Sequence, residues 1–247
     1  MNKTIENQLT RRSIRMFNGR TVKKEDLELI VKAGQHAPTS IGAQQISLVI
    51  VDDKKKIAKI AEYTGGQPQV AGADKFICIV IDFNRTNVAC EAAGKEQIVQ
   101  NTAEGLLVGA VDAGIMLSAL ETAAHSLGYG CTAIGGIRYN PKRMVELLGL
   151  PKNTFPVVGL TIGCIDEDNK PEIKPRVETD TFAFYNEYDS QKVTKGVVEY
   201  DTELRKWWDA QGMKDMKGYI DMVSSTYSQK YYPHVKSVLE EQGFGFE

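Results

Sequence analysis

The chain has 247 residues, 30 Lys and Arg against 32 Asp and Glu, a formal net charge of -2 and 42% hydrophobic residues. That length is ample for a buried core in one large domain or two small ones, and the ordinary apolar and charged fractions exclude disordered and fibrous classes. The near-neutral balance gives no bulk reason to expect nucleic acid or an anionic membrane as a partner, so any basic site must be local.

The N-terminal stretch Met1 to Arg15 is polar and charged, so no signal peptide is expected. It ends in Arg11-Arg12-Ser13-Ile14-Arg15, with no acid between Glu6 and Glu25. On a helix or tight turn these guanidiniums would converge, which suits a dianionic phosphate; a solvated basic face is the competing reading. From Glu25 to Gly34, Leu27, Ile30 and Val31 recur at helical spacing, behind acids that favour a helix N-terminus. Pro38, Thr39, Ser40, Gly42 and Gln44 form a loop with short polar side chains, able to line a ligand or simply to turn the chain. Ile46–Val51 reads as a strand closed by Asp52-Asp53, and Lys54 to Tyr63 as a helix stopped by Gly65-Gly66. Gln67 then places an amide on a turn.

Phe76–Ile81 is apolar on both faces, as a central strand would be. Between Thr102 and Leu127 a helix is expected that is apolar nearly all round, and therefore buried all round. Its many glycines and alanines suggest close helix–helix contact, plausible with a second subunit, and Asp112 within it reads as a hydrogen-bonded structural group. The apolar run Leu106 to Leu120, interrupted by Asp112, is too short for a bilayer span. Cys131–Ile134 is a short strand that runs into Gly135-Gly136, where backbone N–H groups are open to a flat ring. Asn140-Pro141 starts a helix that ends at Gly149, and Phe155 to Gly163 is another strand.

Asp166 to Tyr188 is polar, contains two prolines and reads as an extended arm. Within it, Lys174 and Arg176 flank Pro175 and share one face of an extended stretch. The two cationic elements together could grip one phosphate. Helices are expected around Thr202–Gln211, Gly218–Lys230 and Pro233–Gln242. The irregular mixture of helices and strands favours α+β over a strict βαβ alternation.

Absences narrow the chemistry. Four widely spaced cysteines form no C-x-x-C pair, which excludes the usual zinc signatures and a disulfide framework; no metal is expected, and a reducing, cytoplasmic setting fits. Gly128–Gly135 is not a Rossmann fingerprint, and neither a P-loop nor a nucleophile elbow occurs. The three histidines stand outside any motif.

In this order, Arg12–Arg15, Ala37–Ser40 with Gln44, Gly65–Pro68, Ala73–Phe76 leading to Asp82–Arg85, Val108–Ala113, Ser126–Gly130, Ile134–Gly136, Lys174–Arg176 and Tyr231–His234 span nearly the whole chain. The ordered set resembles the FMN-dependent nitroreductase superfamily, in its branch of NADPH-flavin oxidoreductases and major oxygen-insensitive nitroreductases. The resemblance implies an α+β fold with a central mixed sheet flanked by helices, one domain over 1–247 with a C-terminal helical excursion about 200–247, and an intertwined homodimer with two FMN sites at its interface.

By the same resemblance, Arg11, Arg12, Ser13, Lys174 and Arg176 would hold the phosphate and ribityl chain. Arg15 and Gln67 would lie near the pyrimidine side of the ring, and Ile134, Gly135 and Gly136 would face N5 and O4. Pro38, Thr39, Ser40, Gly42 and Gln44 would come from the partner subunit. Arg11 stands where the branch often has His, and Lys214 and Lys217 occupy the region where it carries a 2′-phosphate-binding arginine, so NADPH and NADH both stand as donors. No side chain is expected to act as acid or base; Arg15 would act electrostatically. The implied activity is hydride transfer from NAD(P)H through FMN to small-molecule acceptors (free flavin, nitroaromatics, quinones) by a ping-pong cycle. A flavin-binding carrier without turnover is the alternative, separated by whether NADPH bleaches the bound flavin.

Overall fold

A computed structural model describes residues 2–247. The first three helices are α1 (Lys3–Thr10), α2 (Lys24–Gln35) and α3 (Lys54–Tyr63), followed by α4 (Pro68–Ala71), α5 (Asn84–Ala92) and α6 (Ala103–Ser126). The last four are α7 (Pro141–Leu148), α8 (Ser190–Ala210), α9 (Tyr219–Tyr227) and α10 (Val235–Glu241). Strands β1 (Ile46–Val51), β2 (Lys75–Asp82), β3 (Tyr129–Ile134) and β4 (Thr154–Cys164) form one sheet in the order β1-β2-β4-β3. The α+β class holds, and where a mixed sheet was expected every pairing among the described strands is antiparallel.

The sheet has a core on each face because β2 alternates between them. Ile77, Ile79 and Ile81 pack with Met116 and Leu120 of α6, while Phe76, Cys78 and Val80 pack with Ile57 and Ile60 of α3 and Met144 of α7. Burial alone pushes the Cys78 thiol up to about 12, so it stays a neutral apolar group. Gly109 lets α6 lie close on the sheet, since a β-carbon there would meet the Ile81 side chain. Helix α3 starts where expected because the Asp53 carboxylate accepts from the N–H groups of Lys55 (2.7 Å) and Lys56 (3.1 Å), bonds that hold its pKa down. Asn140 does occupy the N-cap of α7, but its side chain makes no capping bond.

Several expectations need amendment. Helix α6 is not buried all round within one chain: Leu107 is 61% and Val111 59% exposed. Its 24 residues match a bilayer span in length and composition, unlike the shorter run read from the sequence. Its packing is that of a core helix, with Gly109, Asp112, Ala113, Met116, Leu120 and Ala124 buried. Helix α8 begins twelve residues before the expected start at Thr202 (190 to 202). Its first turns are polar, and Gly196 takes the packing position against Thr181, so no apolar stripe marked them. Helices α1 and α5 bury no residue and left no stripe to read.

The chain divides into two compact units: one runs to Pro171 and takes up His234–Glu247 again, the other is Glu172–Pro233.

Candidate functional site

The arginine run is not helical. Helix α1 stops at Thr10, and Arg11 already has extended backbone (φ -62, ψ 143). The chain then lies along β3: the Ile14 N–H donates to the Cys131 carbonyl (3.0 Å) and the Thr132 hydroxyl to the Ile14 carbonyl (2.5 Å). Ile14 is buried in the space that a side chain at Gly130 would fill. The guanidiniums therefore do not converge by helical spacing. They are strung along an anchored segment that brings them to the strand leading into Gly135-Gly136.

Each arginine has its own setting. Arg11 turns towards α6, where its Nε lies 3.9 Å from Glu121 Oε2 and is buried without a hydrogen-bond acceptor. Burial raises the Glu121 pKa, with Arg11 opposing; burial and then Arg11 lower that of the neighbouring His125. Arg12 Nη1 donates to the Pro171 carbonyl (3.0 Å). Ser13 is half-buried and Arg15 exposed.

At the end of β3, Ala133 is exposed although its strand neighbours are buried, and Ile134 is buried beneath the turn Gly135–Arg138. The turn at Gly65-Gly66 uses two left-handed glycines (φ 88 and 73) to bring Gln67 back onto Gly136. Gln67 Nε2 donates to the Thr64 carbonyl (2.9 Å) and its Oε1 accepts from Gln69 Nε2 (2.6 Å). The structure brings Gln67 onto Gly136 at the end of β3, and anchors the arginine run on Cys131 and Thr132 of the same strand.

The loop from Pro38 to Gln44 is held elsewhere. The buried Asp112 carboxylate accepts from the Ser40 N–H (3.1 Å) and from Gln45 Nε2 (2.5 Å), the structural role expected of it. Thr39 Oγ1 accepts from the Gln44 N–H (3.0 Å), and Arg85 Nη1 donates to the Gln44 carbonyl. Ile41, Gly42 and Gln44 all have positive φ, and Ile41 is 99% exposed. Asp112 and Glu121 are nine residues apart on α6, about 13 Å along its axis at 1.5 Å per residue. Among the described residues, no hydrogen bond or ion pair joins this loop to the arginine run, Gln67 or Gly135-Gly136.

In the second unit, Lys174 Nζ sits over the Trp208 ring (5.3 Å to its centroid), and the Pro175 carbonyl accepts from the Tyr200 hydroxyl (3.1 Å). Burial raises the Tyr200 pKa, and the charge of Arg176 opposes it. Lys214 and Lys217 are exposed between α8 and α9. The nearby Arg205 is already taken: it donates to Asp201 (2.9 Å) and Asp221 (2.8 Å), while Asp201 also accepts from the Ile220 N–H (2.8 Å).

Sequence reasoning missed Thr132, Gln45, Arg85, Tyr200 and Trp208. Gln45 could have been preferred over Gln44, because an amide directly before an apolar strand faces inward with its pleat. The other four contacts depend on tertiary placement. Two features fit a phosphorylated planar group: the buried Arg11 Nε without an acceptor for the phosphate, and the half-buried Gly135 beside the exposed Ala133 for a flat ring.

The "Nitroreductase family" model matches residues 9–164, and "Nitroreductase family, C-terminal domain" matches 174–247. The chain is 37% identical over 250 residues to a Bacillus subtilis protein named FMN reductase [NAD(P)H], covering 100% of both. It is 34% identical to the oxygen-insensitive NADPH nitroreductase of Salmonella typhimurium, covering 99% of each. The structure of NfrA2 from B. megaterium superimposes with a TM-score of 0.95 at 36% identity, over 100% of both chains. The chain belongs to the nitroreductase family.

Proposed function

We propose that the protein is an FMN-containing, NAD(P)H-dependent oxidoreductase, a flavin reductase and nitroreductase acting on free flavin, nitroaromatics or quinones. What supports this reading is that β3 carries both the anchored arginine run and the turn at Gly135-Gly136 against which Gln67 packs, in a chain matched along both halves by its family. FMN, when bound, supplies the centre that takes a hydride from the nicotinamide and gives the electrons up again.

The chain's own residues bind and polarise. Arg11, Arg12 and Ser13, and separately Lys174 and Arg176, hold the phosphate by charge-assisted hydrogen bonds. Arg15, which no acid of its own chain pairs among the described residues, offers a fixed cation to the pyrimidine side of the ring. Gly135, only half-buried, offers its backbone N–H to the ring, while Gly136 is buried under Gln67. With no dinucleotide-binding fingerprint in the chain, donor and acceptor use the same open face in turn, which is a ping-pong cycle and accounts for breadth in the acceptor.

The working unit is a homodimer. Exposed Ile41, Leu107 and Val111 form an apolar surface on the α6 side, and the loop Pro38–Gln44 fixed there contributes to the partner's flavin. Four free cysteines suit a cytoplasmic setting. Steady-state kinetics with NADPH and NADH against FMN, a quinone and a nitroaromatic test the reading: parallel double-reciprocal lines and turnover of all three acceptors are expected. Intersecting lines would remove the ping-pong cycle, and no oxidation of either nicotinamide would remove the activity.

A further inference from the structure

The amide of Gln67 is held at both ends by its own chain. Gly65 and Gly66 turn the backbone after α3, and the Gly66 N–H donates to the Ala61 carbonyl (2.8 Å). Pro68 then opens α4, and the fully buried Val70 roots that short helix in the core. Gln67 stands at the N-cap of α4, yet its side chain makes no capping bond. It turns back instead: Nε2 donates to the Thr64 carbonyl (2.9 Å) in the space beside Gly136. A carbonyl can only accept, so this contact decides which end of the amide is nitrogen. The other end, Oε1, accepts from Gln69 Nε2 at 2.6 Å.

We infer that Gln69 is a positioning residue, which sets the Gln67 amide for the pyrimidine edge of the flavin; this rests on the FMN reading above. A primary amide carries two N–H groups and two lone pairs on its oxygen. Thr64 takes one N–H and Gln69 one lone pair, which leaves Gln67 one donor and one acceptor for a ligand. The pyrimidine edge of a flavin offers the complements, carbonyl oxygens and an N–H. The opposite, dimethylbenzene end of the ring has no hydrogen-bonding group, so an amide serves only the pyrimidine side. Gln67 is half-buried and within reach of a ligand, beside the half-buried Gly135. Without Gln69 the amide is tied only at its nitrogen, and it must be ordered when the ligand arrives. Stability alone gives the bond little weight, because it joins two half-buried side chains two residues apart.

The test measures flavin affinity of the full chain by fluorescence quenching, with FMN and with riboflavin, which lacks the phosphate, and the midpoint potential of bound FMN. Gln69→Met keeps the length of the side chain and removes its donor. It should weaken both flavins alike, by about two- to tenfold, because they share the ring. Negative charge gathers on the pyrimidine side when the flavin is reduced, so the loss should be larger for the reduced form. The midpoint potential should then fall by about 9–30 mV, the equivalent of a two- to tenfold change in the ratio of the two affinities. Gln69→Glu sets an acceptor against Oε1 and should lose at least as much affinity as Gln69→Met. Gln69→Met combined with Gln67→Met should bind no more weakly than Gln67→Met alone, because both remove one contact. A loss confined to FMN, an unchanged potential, additive losses in the double variant, or wild-type affinity in Gln69→Met and Gln69→Glu would each overturn the inference while the FMN reading stands. A wild-type chain that binds neither flavin would overturn both.

Discussion

Gln67 Nε2 occupies the space that a β-carbon on Gly136 would need, with the Thr64 carbonyl on the other side. The glycine is therefore required by a close approach of two loops rather than by its backbone angles. Gly136→Ala must push Gln67 off its bond to Thr64, an overpacking that costs about 1–3 kcal/mol. Gly135→Ala meets only the end of the Arg138 side chain, at 3.3 Å, which can give way. Urea unfolding should show the loss for Gly136→Ala and little change for Gly135→Ala, and only the former should purify with less flavin. Equal behaviour of the two variants would contradict this packing.

The carboxylate of Asp112 ties the loop Pro38–Gln44 to α6 through the Ser40 N–H and the Gln45 amide. Asp112→Ala leaves both donors without their acceptor inside a buried site, a cost of about 2–4 kcal/mol. If the loop serves the partner's flavin, the same variant should lose flavin as well as stability. Denaturant midpoints and flavin-to-protein absorbance ratios read the two effects; a stability change under about 0.5 kcal/mol would show that Asp112 does not anchor the loop.

Strands were legible because their causes are local. Ile46–Val51 and Lys54–Tyr63 fall where the β-branched run closed by Asp52-Asp53 and the Gly65-Gly66 stop put them. The arginine run was misjudged in conformation: its extended path comes from bonds to β3, more than a hundred residues away in sequence, which spacing rules cannot see. Helix α6 read as buried all round because composition does not distinguish a face covered by the sheet from one left exposed. Trp208 and Tyr200 escaped notice for a related reason, as aromatic residues on a polar helix read as ordinary packing until the arm is laid across them.

Arg15 is exposed at the end of the anchored run and carries no ion pair within its chain among the described residues. Arg15→Ala should keep the fold and the bound flavin but slow turnover on the order of 10²-fold, as removal of one preorganised electrostatic group does. Wild-type turnover with full flavin content would exclude that role.

His125 sits 3.2 Å from the Cys131 sulfur, and its pKa is lowered by burial first and by Arg11 second. The unfolded chain then takes up a proton that the native state resists, so stability falls as pH drops below the ordinary histidine value of 6.5. The loss levels off below the lowered native value. Between about pH 7.5 and pH 5.5 the melting temperature of the wild type should drop more than that of His125→Gln. Identical slopes would show that His125 makes no contribution to the pH dependence.

A flavin carried by this chain should be reduced directly by the nicotinamide. Anaerobic stopped-flow mixing of the purified yellow protein with NADPH measures it in one trace. Rapid bleaching of the flavin absorption band is expected, and its return when a quinone is added. A colourless protein, or a flavin band that NADPH and NADH both leave unchanged, would contradict it.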